Sequence, residues 1–297
     1  MRFGKKRIDF RVLLLAIFLV SVVLTGCKPQ VKIFTDGAGR QLTLKGIPER
    51  IVSLAPAHTE TVFALGLGDK LVGVTSFCNR PPEAQKKEVV GDAFNLNKEK
   101  LVALKPDIVL CAGTPDSQYV KEVESLGIPV YVSSPATVKE VFDDIQRIAS
   151  VLGAEKAGKK LTADLQRQLD ELKQRVEKST APKPRVFVVI DKDLWTVGPG
   201  SFMHDVLSLA GGENVIKDVP GQYLQVSMEE LLAKDPDVIL VTIPKEEYGL
   251  LESRPGWTSL RAVKEGRVFF VDADLVSRPG PSVVKGIEEV ASHLYPQ

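Results

Sequence analysis

The stretch KEKLVALKPDIVL, residues 98–110, returns 130 residues later as MEELLAKDPDVIL, residues 228–240, with no gap between the copies. Six of the 13 aligned positions are identical, among them Glu99 with Glu229, Pro106 with Pro236 and Asp107 with Asp237, and three more exchange one aliphatic residue for another. Each copy reads as a short helix, a proline turn and an aliphatic strand. A chain that repeats such a unit at nearly half its length is constrained toward two similar α/β halves. At 297 residues and 44% hydrophobic it has enough apolar material for two packed interiors.

The surrounding sequence keeps the same rhythm. In the first half the strands IVSL, LVGVTS and VYVSS alternate with helical stretches, and in the second RVFVVI and RVFFV do so, with a closing helix from about Ser282 to Leu294. Short aliphatic strands alternating with helices indicate parallel sheets flanked by helices. Between the halves, Leu161, Leu165, Leu169, Leu172 and Val176 are spaced four, four, three and four, and charges fill the other positions. A helix from about Glu155 to Lys178 spans on the order of 36 Å at ~1.5 Å per residue, enough to cross between two lobes. Ahead of the main fold, VKIFTDGAGRQLTLKGI alternates about Asp36-Gly37 as an edge hairpin does.

The first residues are a separate matter. A basic opening precedes the apolar run Val12 to Leu24, which as a helix reaches only roughly 20 Å against a ~30 Å hydrocarbon core. It reads as an export signal over residues 1–26. It ends in LTGC, which resembles the lipobox of bacterial lipoproteins and implies a lipid on Cys27. Removal of the signal leaves 34 basic and 37 acidic residues, a balance of −3 with no basic run, so nucleic acid is not an expected partner. Cys78 and Cys111 then remain, either as one bridge or as two buried thiols.

Enzyme signatures are missing: there is no GxSxG, no phosphate loop, no HExxH and no GxGxxG opening a βαβ unit. A metal-dependent enzyme anchored at the surface would need converging ligands, and only Cys78, Cys111 and His58 offer themselves, all in one half. His58 follows a strand, where loops at the carboxyl ends of parallel strands form binding crevices. Glu99 and Glu229 fall in the first turns of their helices, where a carboxylate favours the positive end of the dipole, and Ser227 with Glu230 spells a capping box. Helix capping does not account for a matched acid in each half. A partner with two matching cations does.

The segments RIVSLAPAHTETVFALGLGDKLVGVT, PPEAQKKEVVGDAFNLNKEKLVALKPDIVL, GGENVIKD and VSMEELLAKDPDVIL together resemble the solute-binding proteins of ABC importers for cobalamin, iron-siderophores and haem, and the likeness runs from Arg50 onward. The resemblance implies two mixed α/β lobes with central, mostly parallel sheets, joined by one long α-helix, with the ligand in the cleft between them. It places an N-terminal tether and hairpin at 27–48, lobes at 49–137 and 182–297, and the linker at 138–181. It implies a monomeric, non-enzymatic capture protein without a resident cofactor, tethered to the outer face of the cell membrane and docking through Glu99 and Glu229 onto a permease dimer.

For the ligand, the nearest resemblance is to the cobalamin-binding group, in which aromatic side chains of both lobes clamp a corrin ring. Position by position it falls on Phe77, Trp195 and Tyr223, with Asp274 and Arg278 matching cleft-loop positions. Ala93 and Ala112 stand where that group carries tryptophans, and Arg80 replaces an aromatic. Arg80 and Arg278 suit an anionic siderophore or haem propionates as the alternative cargo.

Overall fold

The computed structural model describes residues 31–92 and 95–296. The hairpin is present as β1 (Lys32–Thr35) and β2 (Gln41–Leu44), with Thr35 opposite Gln41. There follow β3 (Ile51–Ser53), α1 (Pro56–Ala64), β4 (Leu71–Val74), β5 (Glu88–Val89), α2 (Lys98–Ala103), β6 (Ile108–Ala112), α3 (Gln118–Ser125) and β7 (Val130–Ser133). These five strands form one all-parallel sheet in the order β5-β4-β3-β6-β7. The hairpin does more than decorate this sheet. Ala38 N donates to Val132 O at 2.9 Å, and Asp36 Oδ2 accepts Val132 N at 3.2 Å, so the turn satisfies the outer edge of β7.

Alternation along the strands loads both faces of this sheet. Ile51, Ile108 and Leu110 pack with Cys78 on one face, while Val52, Val109 and Cys111 pack on the other. The two thiols are therefore free and on opposite sides of the sheet. Burial pushes the Cys111 thiol up to about 12, which leaves it inert.

Two helices connect the lobes where the leucine spacing indicated one. The expected helix is α5 (Glu155–Glu177), and before it lies α4 (Val138–Val151), folded back after Gly153, whose φ of +72° is the left-handed stop that glycine supplies. Leu165, Leu169 and Leu172 of α5 enter the core of the second lobe, and Leu161 touches the cores of both. On α4, Val138, Val141, Phe142 and Ile145 join the second core, while Ile148, Ala149 and Val151 join the first. Each such side chain contributes roughly 1.5–3 kcal/mol by burial, so this helical pair is bonded to both lobes along its length.

The second lobe comprises β8 (Arg185–Val189), β9 (Trp195–Val197), α6 (Phe202–Leu209), β10 (Glu213–Asn214), β11 (Tyr223–Gln225), α7 (Met228–Lys234), β12 (Val238–Val241), α8 (Lys245–Glu252), α9 (Arg261–Lys264), β13 (Val268–Phe270), α10 (Ala273–Ser277) and α11 (Val283–Leu294). Its sheet is also all parallel, in the order β10-β8-β12-β13. β9 and β11 form a separate antiparallel ribbon.

The repeated phrase folds the same way twice, as α2 leading to β6 and as α7 leading to β12. Both helices end in a non-glycine left-handed residue, Lys105 at φ 46° and Asp235 at φ 38°, each followed by the Pro-Asp pair. Asp107 Oδ2 then accepts Arg50 N at 2.9 Å, and Asp237 Oδ2 accepts Arg185 N at 2.8 Å, tying each unit to the start of the neighbouring central strand. The same arginines close the helix ends: Arg50 Nε donates to Leu104 O at 2.8 Å, and Arg185 Nη2 donates to Lys234 O at 2.5 Å. Pro-Asp is thus a strand-start clamp, used once per lobe.

Candidate ligand crevice and docking surface

Because each sheet is parallel, the loops leaving its strands gather at one edge, the carboxyl edge, where crevices of α/β folds form. In the first lobe the loop after β4 carries Phe77, Asn79 and Arg80. In the second, the loop after β8 leads to Trp195, and the segment after β13 carries Asp272, Asp274 and Arg278. The two edges touch. Arg80 Nη2 meets Asp272 Oδ2 at 2.5 Å, and Asn79 Nδ2 donates to Asp274 Oδ2 at 3.0 Å. Arg278 donates from Nη1 to Asn79 Oδ1 at 2.6 Å and from Nη2 to Phe77 O at 3.3 Å, while pairing with Asp274 Oδ1 at 2.8 Å.

Three of the sequence-predicted residues, Arg80, Asp274 and Arg278, are therefore brought together as an inter-lobe clasp, each engaged by the others or by their neighbours. Four members of that clasp were not foreseen: Asn79, Asp272, Glu60 and Ser282. Asp272 caps α10, with Oδ1 accepting Asp274 N at 2.9 Å. Glu60, 6% exposed on α1, accepts the Ser282 hydroxyl on Oε2 at 2.6 Å. Its Oε1 has no hydrogen-bond donor and lies 3.9 Å from Arg278 Nη1. Burial raises the Glu60 carboxyl, with Ser282, Arg278 and Arg80 offsetting it only in part. For Asp272 burial also acts upward, but the Arg80 guanidinium outweighs it and holds that carboxyl below its usual range.

The aromatic residues stay open. Phe77 is 50% exposed, Trp195 41% and Tyr223 51%. Trp195 pairs opposite Gln225 and Tyr223 opposite Val197, so both aromatics stand diagonally on one face of the β9/β11 ribbon, while Phe77 belongs to the other lobe.

His58 is located elsewhere. It is 3% exposed, with Nε2 at 2.8 Å from Ser133 Oγ. Ser133 Oγ donates to Asp144 Oδ2 at 2.8 Å and Tyr131 OH to Asp144 Oδ1 at 2.5 Å, so the serine proton is spent and the imidazole must donate from Nε2. Burial depresses its pKa and keeps it neutral. Its place after a strand suggested ligand contact; in the structure its ring is turned into the first lobe, toward Ser133 of β7 and Asp144 of α4.

Glu99 and Glu229 occupy equivalent places. Each of their helices reverses into the following strand, which puts its first turn at the carboxyl edge of its sheet. Both side chains are exposed. Neighbouring charges are occupied: Lys100 pairs with Glu88 at 2.7 Å, and Glu230 completes the capping box with Ser227. Among the described residues, Glu99 and Glu229 themselves form no ion pair. Ala112 closes β6, whereas Cys27 and Ala93 lie outside the described residues.

Residues 51–275 match the family model described as periplasmic binding protein. The chain belongs to the periplasmic binding protein family. It is 34% identical to the ABC transporter substrate-binding lipoprotein YvrC of Bacillus subtilis (strain 168), over 95% of this chain and 96% of that one. Among solved structures it is similar to the periplasmic vitamin B12 binding protein BtuF of Vibrio cholerae, with 32% identity, a TM-score of 0.72, and coverage of 83% of this chain and 96% of that chain. A possible iron-binding (periplasmic solute-binding) protein from Staphylococcus epidermidis ATCC 12228 gives 31% identity and a TM-score of 0.74, covering 84% of this chain and 99% of that chain.

Membership makes this protein the substrate-binding component of an ABC transporter, not an enzyme, and one that works with membrane permease subunits. No helix among the described residues is long and apolar enough to cross a membrane.

Proposed function

We propose that this protein is a monomeric lipoprotein, anchored through Cys27 outside the cell membrane, that captures a corrinoid between lobes 49–137 and 182–297 and delivers it to a permease dimer. The observation that carries the reading is the exposure of Phe77, Trp195 and Tyr223 at the carboxyl edges of the two lobes. Three half-exposed aromatics are costly to leave in water and are suited to flat, partly apolar cargo, because they bury much area at little rotamer cost. Similarity to the vitamin B12 binding protein of Vibrio cholerae supports the same cargo. The runner-up, an iron-siderophore or haem, draws on Arg80 and Arg278. Both guanidiniums are already paired with aspartates, which weakens their claim on an anionic guest. The corrinoid is cargo and the protein needs no cofactor to hold it. Residues 138–181 act as the stiff linker, and Glu99 and Glu229 are the two permease contacts.

Titration with cobalamin, cobinamide, haem and ferric siderophores, followed by tryptophan quenching, tests the assignment. Cobalamin is expected to bind most tightly, and Trp195→Ala to cost about 2 kcal/mol, roughly thirtyfold in Kd. Unchanged affinities in Trp195→Ala would remove the pocket from this ribbon. Glu99→Arg with Glu229→Arg should leave cobalamin binding intact and abolish uptake.

A further inference from the structure

Immediately before Trp195 the backbone does something a leucine rarely does. Leu194 has φ +63°, in the left-handed region that branched and bulky residues avoid. Its side chain is 1% exposed, packed with Phe187, Val189, Leu231 and Ile239 in the core of the second lobe. A residue of that size persists there only when its surroundings over-determine it, and such sites cluster where geometry matters to function.

The surroundings do over-determine it. On one side Leu194 O accepts Val226 N at 3.2 Å, and Trp195 O accepts Ile190 N at 3.1 Å. On the other, the preceding loop is held by Arg254 Nη2, which donates to Lys192 O at 2.9 Å and Asp193 Oδ1 at 2.7 Å. Gln225, directly opposite Trp195, donates from Nε2 to Asp193 O at 3.0 Å. Leucine is thus driven inward at a reversed φ while the next residue stands outward on the ribbon.

We infer that Leu194 is a positioning residue: its buried, left-handed backbone fixes Trp195 as a pre-set aromatic face at the mouth of the crevice. A glycine there would relax the backbone but lose the anchor, and the indole would then swing with the loop. This inference rests on the proposed role of Trp195 for its affinity consequence only; the rigidity of Trp195 is measured without any ligand.

The test uses the full chain carrying Trp257→Phe, which leaves Trp195 as the one indole of a chain with two tryptophans. Time-resolved anisotropy of Trp195 is expected to follow overall tumbling in this background. In Leu194→Gly a fast component of a few nanoseconds or less should carry a large share of the decay, and Leu194→Met should restore the slow decay by refilling the core. Cobalamin affinity should drop about tenfold in Leu194→Gly and recover in Leu194→Met. An unchanged decay in Leu194→Gly, or a methionine variant as mobile as the glycine one, overturns the inference. Should Leu194→Gly fail to fold, Arg254→Ala decides, since it frees residues 191–193 without touching the core: a mobile Trp195 supports the inference and a rigid one refutes it. A mobile indole with unchanged cobalamin binding would retain Leu194 as its positioning residue and refute only the proposed contact of Trp195 with the ligand.

Discussion

Asp144 is buried on α4 with both carboxylate oxygens taken, one by Tyr131 and one by Ser133, and His58 completes the group from α1. Removing the carboxylate leaves two buried hydroxyls without their acceptor and opens space beside Gly37, whose α-carbon already approaches Ser133 and Asp144 closely enough to exclude a Cβ. Asp144→Ala should therefore cost about 3 kcal/mol, read as a lower urea midpoint, with Asp144→Asn costing less. A loss below about 1 kcal/mol would show that the network is not structural. This residue also marks where the sequence falls silent. His58 was visible as a histidine at a strand end, but its partner Ser133 is 75 positions away, and nothing local announces that contact. Phe77, Trp195 and Tyr223 entered through the family resemblance and not through any local spacing, and the structure leaves all three exposed.

The repeated phrase was the most legible element, since its short helix, helix-end reversal and aliphatic strand are local, whereas the Pro-Asp clamp itself reaches Arg50 and Arg185 at the starts of strands distant in sequence. The β9/β11 ribbon was not. DLWTVGPGS reads as a turn, yet Trp195–Val197 is a strand of three residues that exists only because Tyr223–Gln225 pairs with it. The break between α4 and α5 left a trace, because no charged residue stands between Arg147 and Glu155 and Gly153 falls in that gap. The repeat supplies an unusual prediction. Lys105 is exposed and left-handed, a conformation costing a side-chain-bearing residue roughly 1–2 kcal/mol, whereas glycine adopts it freely. Lys105→Gly should raise stability by about 0.5–1 kcal/mol after the extra chain entropy is counted, visible as a higher melting temperature. Asp235 shares the conformation, but its Oδ1 accepts Arg261 N at 3.0 Å, so the same change there should gain nothing. Equal gains at both positions would refute this account.

At the scale of the whole molecule, the clasp couples proton binding to contact between the lobes. Glu60 belongs to the first lobe, and Ser282 and Arg278, which enclose it, follow the last strand of the second. Its folded pKa is raised above the ordinary 4.5, so the contact holds a proton that a solvated Glu60 would release. By linkage its stabilising contribution is complete below about 4.5 and is lost as pH rises through the raised value. Asp272 acts in the opposite sense: its depressed pKa makes the Arg80 pair stabilising above the ordinary 3.8, and that contribution fades only as pH falls below it. On acidification from neutrality Glu60 is therefore the first of the two to change, and its change tightens the contact. Glu60→Gln mimics the protonated form, retains an acceptor for Ser282, and removes the buried charge. It should melt higher than the wild type near neutral pH, and the gap should close as pH is lowered from neutrality toward the ordinary 4.5. A gap that stays constant across that range would mean that Glu60 is not the group whose proton links the lobes, and the burial between Ser282 and Arg278 would have no bearing on how tightly the crevice shuts.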